Sequence, residues 1–263
     1  MAHSRPSFRH GAVSALLLTP LLVGGAEAAA PKARPAEPVI VIDAGHGGRD
    51  PGTISKGQRI REKEISLAIS RKLASSLAKK TGARVYLTRS RDESLTLDQR
   101  DRLANWRQCD LFLSIHANAT RNSKTQGVEI YYLNRATDEA SRRLAQRENQ
   151  GSRGEKEDYE LILSDLLQTA ATEESALLAA DVKKTLLKKM KPQGVPGVRV
   201  KTALFYVLVG AKCPSLLIET GFLSNSQEAR RLKRPDYQRI LADAIAEGVA
   251  NYLRSQADRF SDL

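Results

Sequence analysis

The chain has 263 residues, with 42 Lys+Arg against 30 Asp+Glu and a formal charge of +12. Its 41% hydrophobic and 27% charged residues mark a globular chain rather than a disordered or fibrous one, and the length leaves a second full domain possible but unnecessary. Aromatics at 5% argue against stacking platforms for single-stranded nucleic acid, and two cysteines exclude a disulfide framework or a Cys-rich metal site.

Residues 1–30 read as a signal peptide: Arg5 and Arg9 form a basic start, 12–23 is apolar, and Ala26, Ala28 and Ala30 supply the small residues of a cleavage site. The apolar stretch falls short of the ~20 residues of a transmembrane helix. The expectation is therefore an exported chain with no stable membrane insertion after cleavage, an uncleaved anchor being the alternative. Cleavage near 28–30 leaves a charge of +11 and two histidines, His46 and His116. Such a charge suits an acidic surrounding such as cell-wall polymer or anionic lipid, and would also suit DNA.

A proline-containing linker at 31–38 leads to VIVIDAG (39–45), the continuous apolar pattern of a strand buried on both faces. The loop GHGGRDPG follows. It lacks both GxGxxG and the Gly-Lys-Ser/Thr of a phosphate-binding loop. Ile65, Ile69, Leu73 and Leu77 recur every four residues and predict a helix over 62–80, followed by a strand at 84–88. Thr96 and Gln99 form a capping box for a helix reaching 107. LFLSIHA (111–117) and VEIYYL (128–133) read as strands, 137–148 as a helix, and 149–158 as a polar break. Helical stretches at 159–168 and 172–191 follow, then strands in ALFYVLV (203–209) and SLLIET (215–220), and a last helix over 237–254. The alternation predicts one α/β domain over 39–263, a mostly parallel sheet of about six strands with helices on both faces.

In such sheets the working groups lie just beyond the C-terminal ends of strands. His46 follows the first strand, His116 ends the third, Glu219 ends the last, and Glu62 opens the first long helix at the same rim. Two imidazoles and one carboxylate suffice for a catalytic zinc with a water in the fourth place, and a further carboxylate can move the proton. HExxH is absent, so this is not a helix-borne zincin site. Each residue also has a plain role: His46 in a loop, His116 as a hydrogen-bonded sheet residue, Glu62 as a first-turn acid favoured by the helix dipole. Glu219, flanked by Leu216, Leu217, Ile218 and Phe222, is costly to bury unpaired.

VIDAGHGGRDPG, REKE (61–64), SIHAN (114–118) and IETGFLSN (218–225) together resemble the four signatures of the zinc-dependent N-acetylmuramoyl-L-alanine amidases, the Amidase_3 family, in the family's order. The resemblance frames 39–253 and is similar to the periplasmic, division-type members. It implies one Zn2+ per chain on His46, Glu62 and His116, with Glu219 catalytic, and cleavage of the amide between the muramic acid lactyl group and L-alanine of peptidoglycan. It also implies a monomer working in the periplasm or, alternatively, secreted to the wall, with no nucleic acid partner. Asn118 is a candidate for substrate contact, or else closes the loop after SIHA. In division-type relatives an insert in this region covers the zinc until an activator protein displaces it. Here 149–168 would be that regulatory insert, with Glu155, Glu157 or Glu160 as an inhibitory zinc ligand; a solvated charged loop is the alternative. Cys109 and Cys213 each precede a strand, and a disulfide and two isolated thiols are equally compatible with the sequence. An exported zinc peptidase or other amidohydrolase, and a non-catalytic wall-binding module on the same fold, are the competing readings.

Overall fold

Three apolar runs form the interior of the sheet. In the computed structural model, which describes residues 37–150 and 170–261, β1 (Val39–Ala44), β3 (Leu111–Asn118) and β6 (Ser215–Phe222) are buried along their whole length, as strands covered on both faces must be. With β2 (Arg84–Leu87), β4 (Val128–Leu133) and β5 (Val198–Ala203) they give the order β2-β1-β3-β6-β4-β5. β1, β2, β3 and β6 are mutually parallel, while β4 and β5 run together and antiparallel to β6.

Alternate side chains feed two cores. Ile40, Ile42, Leu113, Ile115 and Ile218 face α1 (Glu62–Thr81), α4 (Ala170–Met190) and α7 (Pro235–Ser261). Val41, Phe112, Tyr131 and Leu217 face α2 (Leu97–Trp106), α3 (Glu139–Glu148) and the one-turn α5 (Tyr206–Val209). The four-residue repeat of α1 is its buried stripe, Ile65 to Leu77, and the capping box of Thr96 and Gln99 opens α2. The polar helix α6 (Ser226–Lys233) carries too few apolar residues to announce itself in the sequence; the Asn225 side chain starts it by accepting from the Gln227 and Glu228 N–H groups.

One strand lies elsewhere than the sequence suggests. ALFYVLV is not a strand: β5 precedes it, and residues 206–209 form α5. β5 is the sheet edge, bonded only to β4, and its half-polar VRVKTA suits an edge better than a continuous apolar run does. Phe205, Val207 and Leu208 bury against the α2–α3 side instead. The expected signal peptide, most of the 31–38 linker, the helical stretch at 159–168 and Glu155, Glu157 and Glu160 lie outside the described residues. Among the described residues, no helix is long and apolar enough to cross a membrane.

Cys109 and Cys213, just before β3 and β6, are joined in a disulfide with Cα atoms 6.0 Å apart and a sequence separation of 104. A cross-link closing so long a loop removes much of the unfolded chain's freedom. Replacing both cysteines by serine is expected to lower the unfolding free energy by about 2–5 kcal/mol. Urea titrations of the variant and of reduced wild type should agree, and an unchanged midpoint in both would contradict the expectation.

Candidate metal centre

Four elements deliver the polar residues to one rim. His46 lies on the loop after β1, Glu62 opens α1, His116 stands near the end of β3, and Glu219 lies in β6. The β3–β6 register sets His116 opposite Glu219, and the β6–β4 register sets Glu219 opposite Glu129. These three side chains therefore form a row on the face toward α2 and α3.

Glu62 is the hub. Its Oε1 lies 3.1 Å from His46 Nε2 and 3.0 Å from His116 Nδ1, and accepts the Ala117 N–H at 2.9 Å. Its Oε2 accepts the Thr53 N–H at 2.8 Å. The other ring nitrogen of His46, Nδ1, is 2.7 Å from Asp50 Oδ2; that contact orients the ring so that Nε2 faces Glu62. Two glycines make the approach feasible. A Cβ on Gly45 would come within 2.4 Å of the His116 ring, and one on Gly52 within 2.6 Å of the His46 ring.

A further carboxylate enters the cluster. Glu148, the last residue of α3, holds Oε2 3.3 Å from His46 Nε2 and 3.5 Å from His116 Nδ1. The sequence marks Glu148 only as the last residue of a helix before the insert, and Asp50 only as part of the glycine-rich loop. Asn118 is buried, and its amide is engaged within the protein: Nδ2 donates to Glu129 and Oδ1 accepts from the Ala119 N–H. That is the loop-closing arrangement. A cavity of about 580 Å³ opens over the cluster, with Leu95, Leu97, Phe205 and Val207 on its apolar side and Arg147 beside Glu148 on its polar side.

The charges sort the carboxylates. Burial opposes a charge on His46, but Glu62, Asp50 and Glu148 more than reverse it and hold the imidazole well above its ordinary range. Burial would raise Glu62, yet the two histidines bring it well below the usual carboxylate range. Glu148 is lowered in the same way. Glu219 goes the opposite direction. It is fully buried, and neither oxygen has a hydrogen-bond partner among the described residues. Burial, then the charges of Glu62 and Glu148, hold it well above the carboxylate range, and Arg147 offsets this only in part.

The ligand atoms of His46, Glu62 and His116 lie within 4.8 Å of one another, as do those of His116, Glu148 and Glu219. Two imidazoles and a carboxylate converging in a pocket that favours positive charge, with His46 Nε2 lacking a hydrogen-bond partner among the described residues, fit a divalent cation. The structure thus brings all four sequence-predicted residues together.

The chain matches the N-acetylmuramoyl-L-alanine amidase family (Amidase_3) over residues 40–251. The N-acetylmuramoyl-L-alanine amidase AmiA of Escherichia coli (strain K12) is 36% identical over 224 residues, covering 81% of this chain and 75% of AmiA. Among solved structures, an N-acetylmuramoyl-L-alanine amidase from Clostridium difficile 630 aligns with a TM-score of 0.63 at 32% identity, covering 83% of this chain and 98% of its own. The CwlD amidase from Clostridioides difficile, solved in complex with the GerS lipoprotein, aligns with a TM-score of 0.63 at 28% identity, covering 83% and 100%.

Because folding strengthens proton binding at Glu219, its contribution to stability is present below the unfolded value of about 4.3 and is lost as pH rises through the raised folded value. In EDTA, wild type should lose stability relative to Glu219→Gln as pH rises from about 5 upward. Thermal unfolding across that range checks this, and parallel pH profiles for the two proteins would refute it.

Proposed function

The chain belongs to the N-acetylmuramoyl-L-alanine amidase family, and from that membership we propose that it is an exported zinc hydrolase cutting the amide between the lactyl group of N-acetylmuramic acid and L-alanine in peptidoglycan. The observation that carries the reading is Glu219, a fully buried carboxyl without a hydrogen-bond partner among the described residues, set opposite His116 and beside Glu62. A binding module has no need of such a group.

His46, Glu62 and His116 would hold one Zn2+ per chain. When bound, the zinc supplies Lewis acidity toward a carbonyl and lowers the pKa of a coordinated water to about 7. Glu219 removes the proton from the attacking water and delivers it to the departing nitrogen of L-alanine, so the lactyl group leaves as a carboxylate and the stem peptide as an amine. Glu219 must be ionised to take that proton, and the positive charge of a bound Zn2+ would favour that form over the raised state of the metal-free site. Asp50 holds the Nδ1–H of His46 and thereby keeps Nε2 free for the metal. The leader at 1–30 supports export to the periplasm, where such an activity would serve wall remodelling or daughter-cell separation.

Glu148 supports a restrained resting state. Its Oε2 lies within 3.5 Å of both imidazoles, where it would compete with substrate for a bound metal. It stands immediately before the 149–168 insert, so an activator that draws the insert away would release it. The complex of CwlD with a lipoprotein is in keeping with activator control. Glu155, Glu157 and Glu160 remain candidates for the same restraint.

Two measurements test these readings. Digested sacculi should yield free lactyl ends and intact stems by mass spectrometry, and Glu219→Gln should lower kcat by about 10²–10⁴ while keeping its zinc. Shortened stems would indicate a peptidase. Glu148→Gln should raise the turnover of the isolated chain, and a fall would show that Glu148 serves the reaction rather than restrains it.

A further inference from the structure

We infer that Arg100, paired with Asp43, is a positioning residue for His46, and that the donors behind the 44–48 backbone set how tightly the centre holds its metal. The inference rests on the proposed zinc site. Glu62 and His116 stand on a helix and a strand, whose own hydrogen bonds fix their directions. His46 has no such ladder. It lies in the left-handed region, φ 58°, which a residue with a Cβ seldom occupies, so its ring points wherever the loop backbone is held.

That backbone is held by three buried cations from other parts of the chain. Arg89, after β2, donates from Nε to the Ala44 carbonyl and from Nη2 to the Gly45 carbonyl, both at 2.8 Å. Arg100, on α2, donates from Nη1 to the Ala44 carbonyl at 2.8 Å and from Nη2 to that of His46 itself at 3.0 Å. Lys63 donates to the Gly48 carbonyl at 2.8 Å. The Gly47 carbonyl accepts from the Asp50 N–H and from Ser94 Oγ. Every carbonyl from Ala44 to Gly48 is thereby engaged. Arg100 is in turn fixed by Asp43 at 2.6 Å, a buried carboxylate that also accepts from Thr88 and Ser114.

Charge and geometry make opposite forecasts here. Three cations against two acids, Asp43 and Asp92, sit behind a centre that binds a cation, and by Coulomb's law they oppose it. If charge governed, removing the Arg100 cation would tighten metal binding. If its two-pronged hold on Ala44 and His46 governs, removal must loosen it. A fork of two donors fixes a peptide in a way that a single ammonium cannot, and lost support of a ligating histidine costs about 10–100-fold in metal affinity.

The experiment is a zinc competition titration against a chromophoric chelator, with Co2+ visible spectra alongside, on the mature chain. Arg100→Gln should weaken zinc binding about 10–100-fold. Arg100→Lys, which keeps the charge, should also weaken it and change the Co2+ spectrum. Ser94→Ala, an exposed neutral change on the segment after β2 that removes the hydroxyl donor to the Gly47 carbonyl, should weaken it by less. Ser76→Ala, which removes a part-buried bond between α1 and Asp243 away from the loop, should leave it unchanged. Affinities equal to or tighter than wild type in the Arg100 and Ser94 variants would overturn the inference. If Arg100→Gln does not fold, Arg100→Lys and Ser94→Ala decide it. A wild type that binds no zinc would instead overturn the proposed site.

Discussion

β3 and β6 lie side by side with His116 opposite Glu219, and the rest of the centre depends on that register. A slip of one residue in either strand would turn its polar group into the core of Ile115, Ile218 and Leu113 and put an aliphatic residue at the site. The register is fixed on both faces at once, because neighbouring residues of each strand feed opposite cores. It is fixed again at the far rim, where the Cys109–Cys213 disulfide ties the starts of the same two strands. Glu62 then reaches across from α1 and anchors to the Ala117 N–H of β3, so the helix is docked onto the strand at the residue after the histidine.

Most of this was legible in the sequence where the signal is local. Continuous apolar runs gave the interior strands, and His46, His116 and Glu219 could be assigned to one rim because strand ends in such a sheet share it. ALFYVLV misleads because an apolar run of that length carries no period to distinguish a strand from a loop and a helical turn. What stayed hidden is tertiary. Glu148 looks like any polar residue at the end of an amphipathic helix, and only the burial of α3 in the core that also holds Leu217 and Phe205 brings its carboxylate to the histidines. Arg100 likewise reads as one cation among many on α2, although it is buried and grips the loop of β1.

The whole chain carries a charge of +12, whereas the centre is acidic. Glu62, Glu148 and Glu219 lie around two imidazoles, with Glu129 one strand further. A concentration of buried carboxylates is unfavourable on its own, and the fold distributes its compensation unequally. Glu129 receives Asn118, Tyr131, Arg199 and Lys201. Glu148 has Arg147. The remaining need for positive charge falls at the histidines, where a divalent ion would answer it.

Glu62 and Glu219 are the same residue type in the same pocket, and their environments push them apart. Glu62 accepts two backbone N–H bonds and faces both rings, each of which favours its ionised form. Glu219 receives no hydrogen bond from the described residues and faces other carboxylates, which favours the proton. A group fixed as an anion by four neighbours is suited to hold a metal and poorly suited to exchange protons. A group with unengaged oxygens and a raised pKa is suited to the reverse. The proposed division of labour between ligand and proton carrier follows from the count of donors at each carboxylate, and that count is set by which residue stands at a helix start and which stands inside a strand.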